Sequence, residues 1–225
     1  MVAQIDQAER VAFYKKTYAH VAGGILAFIL VEFVFFQIPA LVEFALSLTQ
    51  GIKWLLMLGG FMLATNYAES MALKTTDRNK QYLAYAIYVI AEAFIFVPLL
   101  FIAMYYTDSG RELLNQAFIV TVSLFVGLSA IPFITKKDFS FLKSILTIGF
   151  FIALGLIVAG TIFGFDLGLW FSVAMVLLAG GSIIYQTSNL IHKYNKEQYV
   201  PAALGLFAAF MLLLWYVIQI FLSRD

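Results

Sequence analysis

Residues 82–105 read YLAYAIYVIAEAFIFVPLLFIAMY, an unbroken apolar stretch whose one charged side chain is Glu92. As a helix it rises about 1.5 Å per residue and so exceeds the roughly 30 Å of a bilayer's hydrocarbon layer. No aqueous core of a 225-residue chain could bury several such stretches, and several are present. The hydrophobic fraction is 63% and the charged fraction 12%, with a mean hydropathy of +0.92, far from the balance of a soluble domain. The lipid bilayer is therefore the first partner the composition implies.

Working outward, apolar runs between charged or Pro/Gly punctuation predict transmembrane helices near 18–36, 53–73, 82–105, 114–134, 143–164, 168–190 and 201–222. The fold class is all-α integral membrane with seven transmembrane helices: a cytoplasmic N-terminal segment, 1–17, and one seven-helix membrane domain, 18–225. The second span is the least regular, because residues 37–51 are apolar enough for an interfacial helix of their own. The start of the chain is polar, and no cleaved leader is expected.

Eleven of the 14 basic residues fall in alternate loops: Arg10, Lys15 and Lys16; Lys74, Arg78 and Lys80; Lys136, Lys137 and Lys143; Lys193 and Lys196. The other loops hold Lys53, Arg111 and Arg224. Basic loops stay in the cytoplasm, which predicts the N-terminus inside, the C-terminus outside and an odd number of crossings. The pairs Gly23 with Ala27, Gly155 with Ala159, Gly160 with Gly164, and Gly205 with Ala209 are four apart and are expected to be helix packing faces.

The net charge of +1 and the absence of cysteine exclude a basic nucleic-acid tract, a disulfide framework and a thiolate metal site. His20 and His192 lie far apart with no third ligand, so no metal site is called, and no cofactor is implied. Phosphate-loop, zinc-protease and serine-hydrolase motifs are absent, and no enzyme is expected.

What remains is a set of polar groups at membrane depth, each of which needs a partner, a proton or water. Glu92 falls near the bilayer midplane, Glu32 in the outer half of the first helix, and Glu69 near the cytoplasmic end of the second. No Lys or Arg sits mid-helix to neutralise Glu92, so it is either protonated and structural or faces a polar cavity holding a proton or cation. Tyr85 and Tyr88, seven and four residues before it, share its helix face and could donate to it. The sixth span ends in Tyr185, Gln186, Thr187, Ser188 and Asn189, a polar run able to bond a neighbouring helix or line a vestibule.

The stretches Ala117 to Thr121, Phe125 to Ser129 and Thr135 to Leu142 resemble the fourth helix and following basic loop of Bax inhibitor-1 proteins. Tyr18, Gln81-Tyr82, Ala91-Glu92-Ala93, Pro98, Phe163-Gly164 and Tyr185 extend the resemblance over nearly the whole chain, which looks closest to bacterial members. The resemblance implies seven helices with the last at the centre, a place in the bacterial inner membrane and, for some members, a pH-sensitive calcium leak governed by two aspartates sharing a proton. Those positions fall here on Gln186 and Ala209, so both carboxylates are missing. Two functions follow: a cation pathway, Ca2+ or H+, lined by Glu92, Glu32 and Glu69 with Tyr85, Tyr88 and Asn189; or a non-transporting regulator of another membrane protein, such as a quality-control protease, as the resemblance suggests for some bacterial relatives.

Overall fold

A computed structural model describes residues 6–224, and within them the chain is helical throughout: α1 (Gln7–Phe36), α2 (Pro39–Ser47), α3 (Ile52–Lys74), α4 (Arg78–Tyr105), α5 (Gly110–Thr135), α6 (Leu142–Phe163), α7 (Gly168–His192) and α8 (Tyr199–Leu222). Six helices are individually long and apolar enough to cross a membrane, as a polytopic membrane protein requires. A seventh crossing exists only if α2 and α3, bent by 112° at the break between them, are counted as one span. Pro39 starts α2 at a position where a missing N–H costs nothing. The chain leaves the bend through Gly51, whose φ of +56° disfavours other residues.

The first helix begins eleven residues before the expected start at 18, and the part of the expected N-terminal segment before Asp6 lies outside the described residues. Charges ended the apolar run but not the helix. Asp6 accepts from the Ala8 N–H at 3.3 Å as a cap, and the buried positions Phe13, Thr17, Val21, Gly24, Phe28 and Glu32 form one stripe at helical spacing. Lys15 and Lys16 lie off that stripe and are exposed, while Arg10 is half-buried at its end. Helix α4 likewise extends down to Arg78, capped by Asp77 through the Asn79 N–H at 2.9 Å.

Helix α8 is the core. In its most apolar window 67% of residues are buried, against 11% for α6. It packs on α7, α1, α5, α4 and α3, whereas α6 leans on α7 and α3 and meets α8 in a small cluster of Ala153, Met175 and Tyr216. Fully buried Phe207 and Phe210 lie nearly one turn apart on α8 and meet different neighbours. Phe207 meets Tyr85 and Tyr88 of α4 edge-on, and Phe210 does the same with Phe118 and Phe125 of α5.

The basic loops gather at one end. Arg78 at the start of α4 pairs with Glu197 in the α7–α8 loop at 3.3 Å, and Lys196 of that loop pairs with Glu9 of α1 at 3.1 Å. The α5–α6 loop joins them through the Phe139 N–H, which donates to Ser188 Oγ at 2.9 Å. In that loop the Ser140 hydroxyl, with His192 and Lys193 nearby, holds the Asp138 carboxyl below the usual carboxylate range.

The small-residue pairs divide. Gly205 is a close approach, since a Cβ there would come 3.0 Å from the Gln186 side chain, and Gly160 lies against the Phe165 carbonyl. Gly23, Gly155 and Gly164 have no atom within 4 Å of where a Cβ would stand, so those three positions are not close approaches. Spacing places small residues on a common helix face; only the bundle decides whether a neighbour is there. Phe207→Ala should destabilise the protein by about 3 kcal/mol or more, measured by reversible unfolding in mixed micelles, because a rigid bundle cannot close over the lost ring.

Candidate functional site

Helix α4 turns one face inward along Tyr85, Tyr88, Glu92 and Phe96, all buried. Glu92 is 5% exposed, and no described Lys or Arg pairs with it. One turn before it, the Tyr88 phenol lies within electrostatic reach of Glu92 and also of Glu69 on α3. Glu69 is exposed at the bundle surface and in turn reaches Tyr194 in the α7–α8 loop. Burial, that carboxylate and Tyr185 push the Tyr194 phenol well above its ordinary range. Tyr194, Glu69, Tyr88 and Glu92 are thus each within electrostatic range of the next.

Tyr85 does not join them. Its hydroxyl donates to the His20 carbonyl of α1 at 2.9 Å, over Gly24, which has no room for a Cβ. Of the two tyrosines expected beside Glu92, only Tyr88 is within electrostatic reach of it, because the Tyr85 hydroxyl is taken by α1. Glu32 stands apart on α1, 5% exposed, with neither carboxyl oxygen hydrogen-bonded.

The polar end of α7 is deeply placed. Thr187, Ser188 and Asn189 are buried, while Gln186 is half-buried with its amide against Gly205 of α8. Ala209, one turn farther along α8, is buried and offers no polar partner. The Tyr18 hydroxyl of α1 faces the hydroxyls of Ser129 on α5 and Thr187 on α7, close enough to interact but without hydrogen-bond geometry. The Asn189 Oδ1 is buried without a partner nearby. Three helices therefore turn neutral oxygens toward one buried region. His192 bonds the Ser188 carbonyl of its own helix at 3.0 Å and His20 bonds Tyr82 at 2.9 Å; they do not meet, and no metal-ligating cluster occurs among the described residues.

The residue spacing gave no sign of a cavity of about 610 Å³ at the opposite end of the bundle. Thr49, Trp54, Asp166, Ser172, Trp215 and Gln219 are among its lining residues, and Ser172 donates to Gln219 Oε1 at 3.2 Å. The nearest hint in the sequence was Gln219, a polar residue in the last apolar run. Leu99 of α4 lines the cavity wall, two turns beyond Glu92. Between them sits fully buried Phe96, edge-on to Trp215 with centroids 5.0 Å apart, and Trp215 stacks on Trp54 at 6.2 Å. An aromatic plug separates the cavity from the carboxyl.

A model of the family described as "Inhibitor of apoptosis-promoting Bax1" matches residues 10–225. The chain belongs to this Bax inhibitor family. It is 25% identical to Bax inhibitor 1 of Schizosaccharomyces pombe over 224 residues, 97% of this chain and 79% of that protein. An uncharacterized Pseudomonas aeruginosa protein is 36% identical over 114 residues, half of this chain and 51% of its own length. The Escherichia coli modulator of FtsH protease is 30% identical over 124 residues, 53% of this chain and 56% of that protein. The match thus spans about half the length of these two bacterial relatives.

Tyr85→Phe should cost about 1 kcal/mol of stability, since the His20 carbonyl loses one donor at a helix contact. The loss should appear as an unfolding midpoint shifted down in mixed micelles, with membrane accumulation unchanged.

Proposed function

We propose that this protein is a gated cation pathway, for Ca2+ or H+. The cavity at the Asp166 end serves as a vestibule, Phe96 and Trp215 as the plug, Glu92 as the internal binding group, and Tyr88 with Glu69 as the route toward the basic-loop end. The observation that carries this reading is Glu92 itself, buried without a cationic partner and one aromatic layer from a 610 Å³ cavity. A carboxyl placed there is expensive unless it binds a proton or an ion. Glu32, equally buried, is a secondary candidate, and the neutral Asn189 region a polar lining.

The sensor positions suggest how such a pathway is controlled. Two carboxylates in one dry site share a proton and titrate together. Gln186 and Ala209 cannot do so, and the Gln186 amide rests on Gly205 rather than on a side chain of α8. A flux through this protein would lack the aspartate-pair switch.

A second reading is supported by the likeness to the E. coli modulator of FtsH protease: a non-transporting regulator of a membrane quality-control protease. Ion flux in liposomes holding only the purified protein separates the two. The pathway predicts flux that falls about tenfold or more in Glu92→Gln and rises in Trp215→Ala. A steep pH switch that survived Glu92→Gln would overturn the argument from the missing pair. No flux, together with co-purification of a membrane protease, would favour the regulator.

The same reading places the chain in the bacterial inner membrane with its basic-loop end in the cytoplasm. Reporter fusions should find the loops at Arg78 and Lys136 inside and Arg224 outside. An externally labelled Lys136 loop would reverse the direction of the pathway.

A further inference from the structure

Between α1 and α4 runs an apolar groove of about 500 Å³, lined by Ala19, Gly23, Ala27 and Val31 on one side and by Val89 and Ile90 on the other. Its size falls within the roughly 300–1,000 Å³ of small-ligand sites. The groove is on the outside of the bundle, because Gly23 is exposed with nothing within 4 Å of where its Cβ would stand. Its floor is fixed from within by the Tyr85 hydroxyl, bonded to the His20 carbonyl beneath Gly24.

The foot of the groove is chemically different. His20 and Tyr82, both lining it, are hydrogen-bonded at 2.9 Å. One helical turn below each is a cation, Lys16 on α1 and Arg78 on α4, and both lie over the ring of Tyr199, at 5.5 Å and 4.1 Å from its centroid. The carboxylates Glu197 and Glu9 are engaged with Arg78 and Lys196. Among the described residues no carboxylate pairs with Lys15, Lys16 or Lys80, so positive charge is left over at this rim.

An apolar channel parallel to the helices, ending at interface level in the unpaired Lys16, the ion-paired Arg78 and a His–Tyr pair, matches one class of molecule end for end. We propose that this groove holds an acyl chain of an anionic phospholipid, with its phosphate at Lys16 beside Arg78. Seated there, the lipid would bridge α1 and α4 at the point where the α7–α8 loop is pinned through Tyr199. The charge complementarity selects an anionic lipid over a zwitterionic one, since each Lys or Arg near a membrane surface favours an anionic headgroup about fivefold.

Native mass spectrometry of the purified full chain, titrated with phosphatidylglycerol and phosphatidylcholine of matched chains, tests this. Phosphatidylglycerol should be retained at least about fivefold better. Lys16→Gln should bring the two lipids close to parity by weakening the anionic one. Gly23→Phe, whose Cβ would have no atom within 4 Å and whose ring would occupy the groove, should reduce retention of both, while Gly127→Phe on the exposed face of α5, where a Cβ is equally free, should leave both unchanged. Equal retention of the two lipids by the natural protein would overturn the proposal, as would retention insensitive to Gly23→Phe. Displacement of the lipid by inorganic phosphate alone would assign the cations to a free anion instead, and a dimer lost in Gly23→Phe would assign the groove to a second copy of the chain.

Discussion

Everything in this bundle is arranged around a helix that touches lipid almost nowhere. In hydrocarbon there is no hydrophobic force between helices, so α8 can be held at the centre only by close packing and by matched polar contacts. Its sequence supplies both. Ala202, Ala203, Gly205 and Ala209 let neighbours approach on the half nearer the basic loops, and Phe207 keys it to α4 and Phe210 to α5. With the centre occupied by a packed helix rather than by water, any route through the bundle must run beside α8.

That constraint gives the polar groups their meaning. Glu92, Tyr88 and the α7 run from Gln186 to Asn189 all lie on helices that flank α8. They are divided into two regions, one carrying carboxyls between α3 and α4 and one of neutral oxygens among α1, α5 and α7. In the family resemblance the second region is where a shared proton acts. Here it holds an amide against a glycine and three hydroxyls, which do not change charge near neutral pH. Glu69 and Glu92 lie in the first region, and Glu32 stands apart on α1.

The charged end has a complementary role. Tyr199 gathers Lys16 and Arg78 from two helices over one ring, while Glu197 and Glu9 tie the same loop down by ion pairs. Each exposed ion pair is worth little alone, about 0–1 kcal/mol. Together with the aromatic contacts they fix the loop that leads into the central helix, and with it the end of the bundle where the first-region carboxyls approach the surface.

How much of this was legible depends on which force sets each feature. Apolar length alone gave the all-helical membrane class and the approximate place of all seven long helices, because a bilayer demands such lengths whatever the packing. Local chemistry also marked Glu92 and Glu32 as costly and the 37–51 stretch as a separate element. The start of α1 was misplaced because a charge ends an apolar run without ending a helix when it lies on the solvated face. Tyr85 shares a helix face with Glu92, but residues on one face share a direction and not a neighbour, and the tertiary structure gave its hydroxyl to α1. The same reason hid the cavity behind Trp215 and the groove at Gly23: each is made by two or more helices whose relative rotation no single stretch of sequence records. The sequence by itself determined what the chain must be dissolved in and which residues pay for being there; only the packing around α8 decided which of them face one another.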